Sequence, residues 1–316
     1  MRRSKSMLTC LIIHTEAPTL YVCLFRQREG LPMRIHPMFT LVFCLSVVTR
    51  GSAVLGDAVS GDTVQDVVPV PKAHAHNDYY HDRPLLDALD QGFCSVEADV
   101  FLVDGKLLVG HSRGELKPER TLEKLYLDPL RERAKKNDGR IHASVPTVTL
   151  LIDIKSNGTE TYAALHRVLS DYSEMLTKVQ DGGQELGGVQ IVGAVQVVVS
   201  GNRDFETVAK SNPRFVGIDG RLKDLDSDLP GHLMPMISDN WRLHFKWQGK
   251  GEMPTEERAK LADIVKRAHS AKRTVRLWAT PESEKLWAEL DKAGVDHINT
   301  DKLERLSEFL RESNGK

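Results

Sequence analysis

The chain has 316 residues, with 43 Lys and Arg against 44 Asp and Glu, for a formal net charge of −1. That balance excludes a strongly basic nucleic-acid binder, whose phosphate-tracking surface shows as excess Lys and Arg. Hydrophobic residues at 41% and charged residues at 28% exclude a compositionally disordered chain, and the length suffices for one large α/β domain or two smaller ones. Three of the cysteines, Cys10, Cys23 and Cys44, precede residue 45, so the remainder keeps only Cys94 and no disulfide framework is expected of it.

The first seventy residues read as addressing. Met38–Val48 is an apolar run, MFTLVFCLSVV, preceded by Arg34 and His36 and followed by the small-x-small pair Gly51 and Ala53. That is the layout of a secretory signal, and the run is too short to span a bilayer comfortably. Met33 stands directly before the unit. Residues 1–32 are therefore expected to be an extension upstream of the true start, 33–53 a signal peptide, 54–69 a linker and 70–316 the folded domain. An exported protein, periplasmic or secreted, follows; a retained N-terminal membrane anchor is the alternative.

From Val70 onward, β-branched runs alternate with helical stretches. Strands are expected at Lys72–Asn77, Cys94–Leu102, Thr147–Lys155, Gly193–Ser200, Phe215–Asp219, Leu233–Ser238, Thr274–Thr280 and Asp296–Thr300. Leu107–His111 pairs with the second as a hairpin across Asp104-Gly105. Helices are expected at Pro84–Asp90, Glu119–Lys135, Glu160–Lys178, Phe205–Lys210, Glu256–Ala271, Glu282–Ala293 and Leu303–Glu312. Eight β/α alternations predict a (β/α)₈ TIM barrel; an open doubly wound sheet has fewer strands, and its glycine-rich fingerprint is absent after the first strand. In such a barrel the chemistry sits at the C-terminal strand ends.

Those ends are polar. The first strand finishes His74-Ala75-His76-Asn77, the second carries Glu97 and Asp99, the third Asp153 and Lys155. Side chains alternate along a strand, so these charges share the inward face while Val96, Ala98, Val100, Ile152 and Ile154 face the helices. Cys94 falls with the helix-facing set, as a core thiol. Three converging carboxylates repel one another and call for a cation; with oxygen ligands alone, Mg²⁺ or Ca²⁺ fits. A structural ion-pair network of Glu97, Asp99, Asp153 and Lys155 is the other reading of the same spacing.

The segments HNDY at His76–Tyr79, SVEADVFLVDGKLLVGH at Ser95–His111 and LLIDIK at Leu150–Lys155 resemble the phosphatidylinositol phospholipase C-like phosphodiesterase superfamily. That group includes glycerophosphodiester phosphodiesterases and spider-venom type phospholipase D; the chain is most similar to its branch typified by the altered-inheritance-of-mitochondria protein six of fungi. GVDHINTD at Gly294–Asp301 and LWAT at Leu277–Thr280 resemble the last strands of glycerophosphodiesterases. The resemblance implies a TIM barrel that hydrolyses phosphodiesters with two histidines and one divalent cation. His76 and His111 match the catalytic histidines, Glu97, Asp99 and Asp153 the metal carboxylates, Asn77 a metal-contacting Asn, and Lys155 the phosphate-side lysine. The chain departs from glycerophosphodiesterases in lacking the His-Arg-Gly element near the first strand and a Glu between His76 and Glu97. Arg83 is the expected substitute phosphate contact, and Trp278 the expected pocket aromatic. The implied partner is a small-molecule or lipid phosphodiester, including one presented at a membrane surface, and no nucleic acid.

Two other readings remain open. His74-x-His76 fits the first-strand zinc ligands of amidohydrolase-like barrels, which need further histidines on later strands. A non-catalytic barrel binding a head group or glycan would use Tyr79, Tyr80, Trp241, Trp247 or Trp278. His74 shares the parity of His76 and competes with it as the base.

Overall fold

The structure, a computed structural model, describes residues 67–180 and 188–314. The expected extension 1–32, signal peptide 33–53 and linker up to residue 66 lie outside the described residues. No helix among the described residues is long and apolar enough to cross a membrane.

Eight parallel strands close into a barrel: β1 (Val70–Ala75), β2 (Phe93–Val103), β4 (Val148–Ile154), β7 (Val195–Gly201), β8 (Val216–Gly220), β9 (Met236–Asn240), β10 (Thr274–Trp278) and β11 (His297–Thr300). The ring closes because β1 pairs with β11 on one side and β2 on the other. All eight expected strands are present. β3 (Lys106–Val109) folds back antiparallel on β2 across a two-residue turn, Asp104 and Gly105, both with positive φ (48° and 77°). That geometry is a type I′ turn, the reason Asp-Gly is favoured there. From the turn at the tip of β2 the hairpin runs back along that strand until Gly110 N–H bonds Asp99 O, which delivers His111 beside Asp99.

The outer layer holds α1 (Leu86–Asp90), α2 (Asp128–Lys136), α3 (Gly158–Ser170), α4 (Phe205–Lys210), α5 (Trp241–His244), α6 (Thr255–Ser270), α7 (Glu284–Ala293) and α8 (Leu303–Asn314). Val96, Ala98, Val100, Leu150, Ile152, Ile154, Val197, Val199, Val275 and Leu277 pack against them in one continuous core. Cys94 is buried in the same core. Inside the barrel, Leu151, Val198 and Met236 form a small separate apolar plug. Leu151 is the register partner of both Glu97 and Val198, so this plug lies level with Glu97; Ser95, Thr149 and Gln196 share the inward parity beneath it, and Asp99 and Asp153 stand above it toward the C-terminal end.

Three expectations need correction. The stretch read as a helix to Lys178 leaves helix at Ser170; Thr177 N–H bonds to Val195 O and Val179 N–H to Arg214 O, so the floor of the barrel takes up the backbone groups a helix would have used. Lys178–Gln180 instead forms β5, paired with β6 (Val189–Ile191). The helix expected from Glu119 opens with a π turn at Glu123–Leu127 before α2. Asp128 N–H bonds Glu123 O, five residues back, and Pro129, which has no N–H to donate, follows in the first turn of α2. Trp241 and Trp247 are buried core residues, with Trp241 stacked on Phe245 at 4.0 Å between ring centroids and its indole N–H donating to Trp247 O; they line no glycan site.

A Cβ at Gly105 would meet no atom within 4 Å, so replacing it with Ala is opposed only by the positive φ. Gly105→Ala is expected to cost about 1 kcal/mol, read as a lower urea midpoint at unchanged slope.

Candidate active site

β2 and β4 run in register, with Asp99 opposite Asp153. Alternation puts Glu97, Asp99 and Asp153 on the inward face at the barrel mouth, and their carboxylates offer oxygens that all lie within 4.8 Å of one another. Lys155 stands between two of them, its Nζ 2.7 Å from Asp153 Oδ2 and 3.2 Å from Asp99 Oδ2. Arg276, inward on β10, donates to Glu97 Oε2 at 2.7 Å and to Asn299 Oδ1 at 2.9 Å. Burial alone would raise Glu97; Arg276, His74 and His76 together hold it below the usual carboxylate range. Asp99 goes the other way: burial and then the Glu97 charge push it up against the pull of Lys155. Lys155 itself is raised, because Asp153 and Asp99 outweigh its own burial.

The two histidines flank this trio. His76 lies just beyond the end of β1, with Nδ1 2.8 Å from Asp301 Oδ1 and Nε2 3.9 Å from Glu97 Oε2. The Asp301 contact requires the proton on Nδ1 and leaves Nε2 with its lone pair. Burial lowers His76, yet Asp301 and Glu97 more than offset it, and the net shift is upward. His111 follows β3 and is 55% exposed, with Nδ1 3.0 Å from Asp99 Oδ2. Tyr79 O–H lies 2.8 Å from Asp99 Oδ2, 2.7 Å from Asn77 Oδ1 and 3.3 Å from His111 Nδ1. Asn77, in left-handed conformation at φ 48°, accepts from Tyr79 O–H through its carbonyl oxygen; its amide nitrogen lies 2.9 Å from His76 Nδ1, a contact but not a hydrogen bond while Nδ1 donates to Asp301.

The donor set fits a hard divalent cation. Asp99 Oδ1 and Asp153 Oδ1 are buried with no partner, while the other oxygen of each carboxylate is taken. Every recorded partner of Glu97 sits on Oε2. All-oxygen ligation of this kind suits Mg²⁺ or Ca²⁺ better than zinc. His74 and His76 both bring Nε2 toward Glu97 Oε2, at 3.7 and 3.9 Å, but neither joins the group of ligand atoms that lie within 4.8 Å of one another among the described residues. His74 is fully buried, its Nδ1 is 2.7 Å from Ser95 Oγ, and burial followed by the Arg276 charge pushes it down to about 3. It therefore stays neutral beneath the mouth, whereas His76 keeps 32% of its side chain exposed. Of the two, only His76 meets the opening.

Arg83 is not at this site. It is 58% exposed and held by Asp87 at 2.7 Å and Asp90 at 2.8 Å on α1. Trp278 ends β10 on the same inward parity as Arg276, partly buried and in register with Asn240, which keeps it at the mouth. The sequence did not point to Asp301 or Arg276, and it offered Tyr79 only as an aromatic of a head-group or glycan site, not as the hydroxyl that meets Asp99 and Asn77. An inward Arg inside the TVRLW run signals a buried anion partner, but nothing local names Glu97, 179 positions away.

Residues 61–219 match the AIM6-like phosphodiesterase domain, and residues 274–304 match the glycerophosphoryl diester phosphodiesterase family. The first match takes in His76, Glu97, Asp99, His111, Asp153 and Lys155. Altered inheritance of mitochondria protein 6 of Eremothecium gossypii is 31% identical over 287 residues, covering 80% of this chain and 73% of that protein. The altered inheritance of mitochondria protein 6 homolog of Arthroderma benhamiae is 29% identical over 269 residues, covering 76% and 83%. Among solved structures, a calcium-dependent phosphoinositol-specific phospholipase C from Pseudomonas sp. superposes with a TM-score of 0.53 at 14% identity, over 77% of this chain and 93% of that one, a likeness of fold. With half its length matched by one domain and a relative above 30% identity across most of both chains, this protein belongs to the AIM6-like phosphodiesterase family.

Proposed function

We propose that the barrel is a metal-dependent phosphoric diester hydrolase acting on a glycerophosphodiester or phospholipid-like substrate. One observation carries the reading: two histidines, each with Nδ1 against a carboxylate, stand beside three converging carboxylates, two of which, Asp99 and Asp153, keep a buried oxygen without a partner. Glu97, Asp99 and Asp153 would hold Mg²⁺ or Ca²⁺, with Asn77 contributing through the second lone pair of Oδ1; the ion would neutralise charge on a non-bridging phosphate oxygen. Lys155 supplies a further positive charge at the same edge. His76 Nε2 takes the proton of the nucleophile, a neighbouring substrate hydroxyl or water, while Asp301 steadies the ring and the charge it gains. His111 donates a proton to the leaving oxygen. Asp99 orients His111 through Nδ1, so one carboxylate serves both the cation and the acid. A neighbouring hydroxyl as nucleophile would make a cyclic phosphate the first product. Export by way of residues 33–53 would bring the enzyme to phosphodiesters outside the cytoplasm.

Turnover of a panel of phosphodiesters, followed by phosphorus NMR of the products, should stop with EDTA and return with Mg²⁺ or Ca²⁺; hydrolysis indifferent to the chelator would remove the metal from the proposal. His111→Ala should lower the rate about 10²–10⁴-fold on an alkyl diester. A nitrophenyl diester, whose leaving group needs little protonation, should recover much of that loss in His111→Ala and little in His76→Ala. Equal loss on both substrates in His111→Ala would take the acid role away from it.

Asp301 gives a pH signature. Its carboxylate raises His76, and the base works only when neutral, so kcat/KM falls as pH drops through the His76 value. Asp301→Asn removes that support and should move the acid limb to lower pH while reducing the maximum. An acid limb that stays in place would assign the limb to another group.

A further inference from the structure

The mouth has a second half, which the phosphodiester chemistry leaves unused. β7 ends in Ser200 and Gly201 and runs on into Asn202 and Arg203; β8 ends in Asp219 and Gly220 and runs on into Arg221. This half abuts the carboxylate trio directly. Ser200 is the register partner of Asp153, and a Cβ on Gly201 would run into Asp153 Oδ1.

Asp219 is fully buried and organises the region. Its Oδ2 accepts from Ser200 Oγ at 2.7 Å, Ser238 Oγ at 2.6 Å and Arg221 at 2.6 Å. Its Oδ1 is buried with no partner. The Arg221 guanidinium also reaches Gly220 O at 3.0 Å, Ser238 Oγ at 3.3 Å and Ser200 Oγ at 3.3 Å, so three strands clamp it. Arg203 donates to Gly201 O at 3.1 Å, and no carboxylate lies within ion-pair distance of it among the described residues. Burial and the nearby Arg221 charge push Arg203 below the ordinary guanidinium value. Two guanidinium groups tied to consecutive residues of β7 repel each other, and only one has a counter-ion. Guanidinium forks match the paired oxygens of phosphate or carboxylate, so an incoming oxyanion would relieve the repulsion and use donors that the fold leaves over.

Lys155 marks the β4 end, and Arg203 and Arg221 the next two strands. Neighbouring strands lie about 4.8 Å apart, so the strand ends that carry Arg203 and Arg221 stand one and two spacings, roughly 5–10 Å, from the strand end that carries Lys155. Two acidic groups on nearby carbons of one polyol span such a distance.

We propose that Arg203 and Arg221 form a subsite for a second anionic group of the substrate, which is then a phosphodiester whose alcohol also carries a phosphomonoester or a carboxylate. The assignment rests on the phosphodiesterase reading for the place of the first phosphate.

Binding tests it without turnover. Calorimetric titration with glycerol 1,3-bisphosphate and glycerol 3-phosphate should show the bisphosphate bound about 10-fold more tightly by the wild type. Arg203→Gln should abolish most of that preference, and Arg203→Lys, which keeps the charge but not the fork, should retain part of it. Equal affinity of the wild type for the two probes, or a preference that survives Arg203→Gln, overturns the subsite. Kinetics on the nitrophenyl phosphodiesters of glycerol, glyceric acid and glycerol 3-phosphate then tell which anion is preferred. The ratio of kcat/KM for the anionic over the neutral alcohol should fall about 10-fold in Arg203→Gln; an equal fall on all three would make Arg203 a structural residue. A bisphosphate preference abolished by Arg203→Gln, with no hydrolysis of any diester, supports the subsite and counts against the hydrolase reading alone.

Discussion

Three carboxylates whose oxygens lie within 4.8 Å of one another cannot all stay charged in a barrel interior without positive charge beside them. The protein supplies part of that charge itself. Arg276 reaches across the barrel to Glu97, and Lys155 bridges Asp99 and Asp153. The compensation is incomplete: three carboxylates face two cations. The residual charge shows in Asp99, which burial and Glu97 push upward, and in the unpartnered oxygens of Asp99 and Asp153. A divalent cation answers both. The rest of the mouth follows from this arrangement, since His111 is oriented by Asp99 and His76 sits beside Glu97.

The fold keeps that charge where it is useful. Leu151, Val198 and Met236 form an apolar plug inside the barrel, level with Glu97, and the helix-facing residues of each strand form the main core, so Asp99, Asp153 and Lys155 stand above apolar packing at the C-terminal ends. Gly201 has a specific part in this. At φ 67° it carries no Cβ to strike Asp153, which lets β7 pass close to the carboxylate. Beyond it the clamp of Asp219, Ser200, Ser238 and Arg221 holds the remaining strand ends.

The eight strands were legible because β-branched runs broken by helix-length polar stretches leave little else for a chain of this length to form. Period-two alternation then put Glu97, Asp99 and Asp153 on one face before any coordinates were needed. Alternation says nothing about partners on distant strands, which is why Arg276 and Asp301, 179 and 225 positions from Glu97 and His76, were out of reach. Arg83 shows the converse error. Seven residues after His76 it is close in sequence, but Asp87 and Asp90 draw it onto the first turns of α1. The segment after Ser170 misled for a related reason: Met175, Leu176 and Val179 have helical spacing, and only the floor strands reveal that their backbone bonds go elsewhere.

A divalent cation site and a self-satisfied ion-pair network make opposite predictions for the carboxylate trio. Isothermal titration of the metal-free protein with Ca²⁺ and with Mg²⁺ separates them without reference to substrate. A cation site should bind one of these ions at one site per chain, lost in both Asp99→Asn and Asp153→Asn while the fold, read by circular dichroism, is kept. Absence of binding by the wild type, or binding that persists unchanged in both variants, would contradict the cation site.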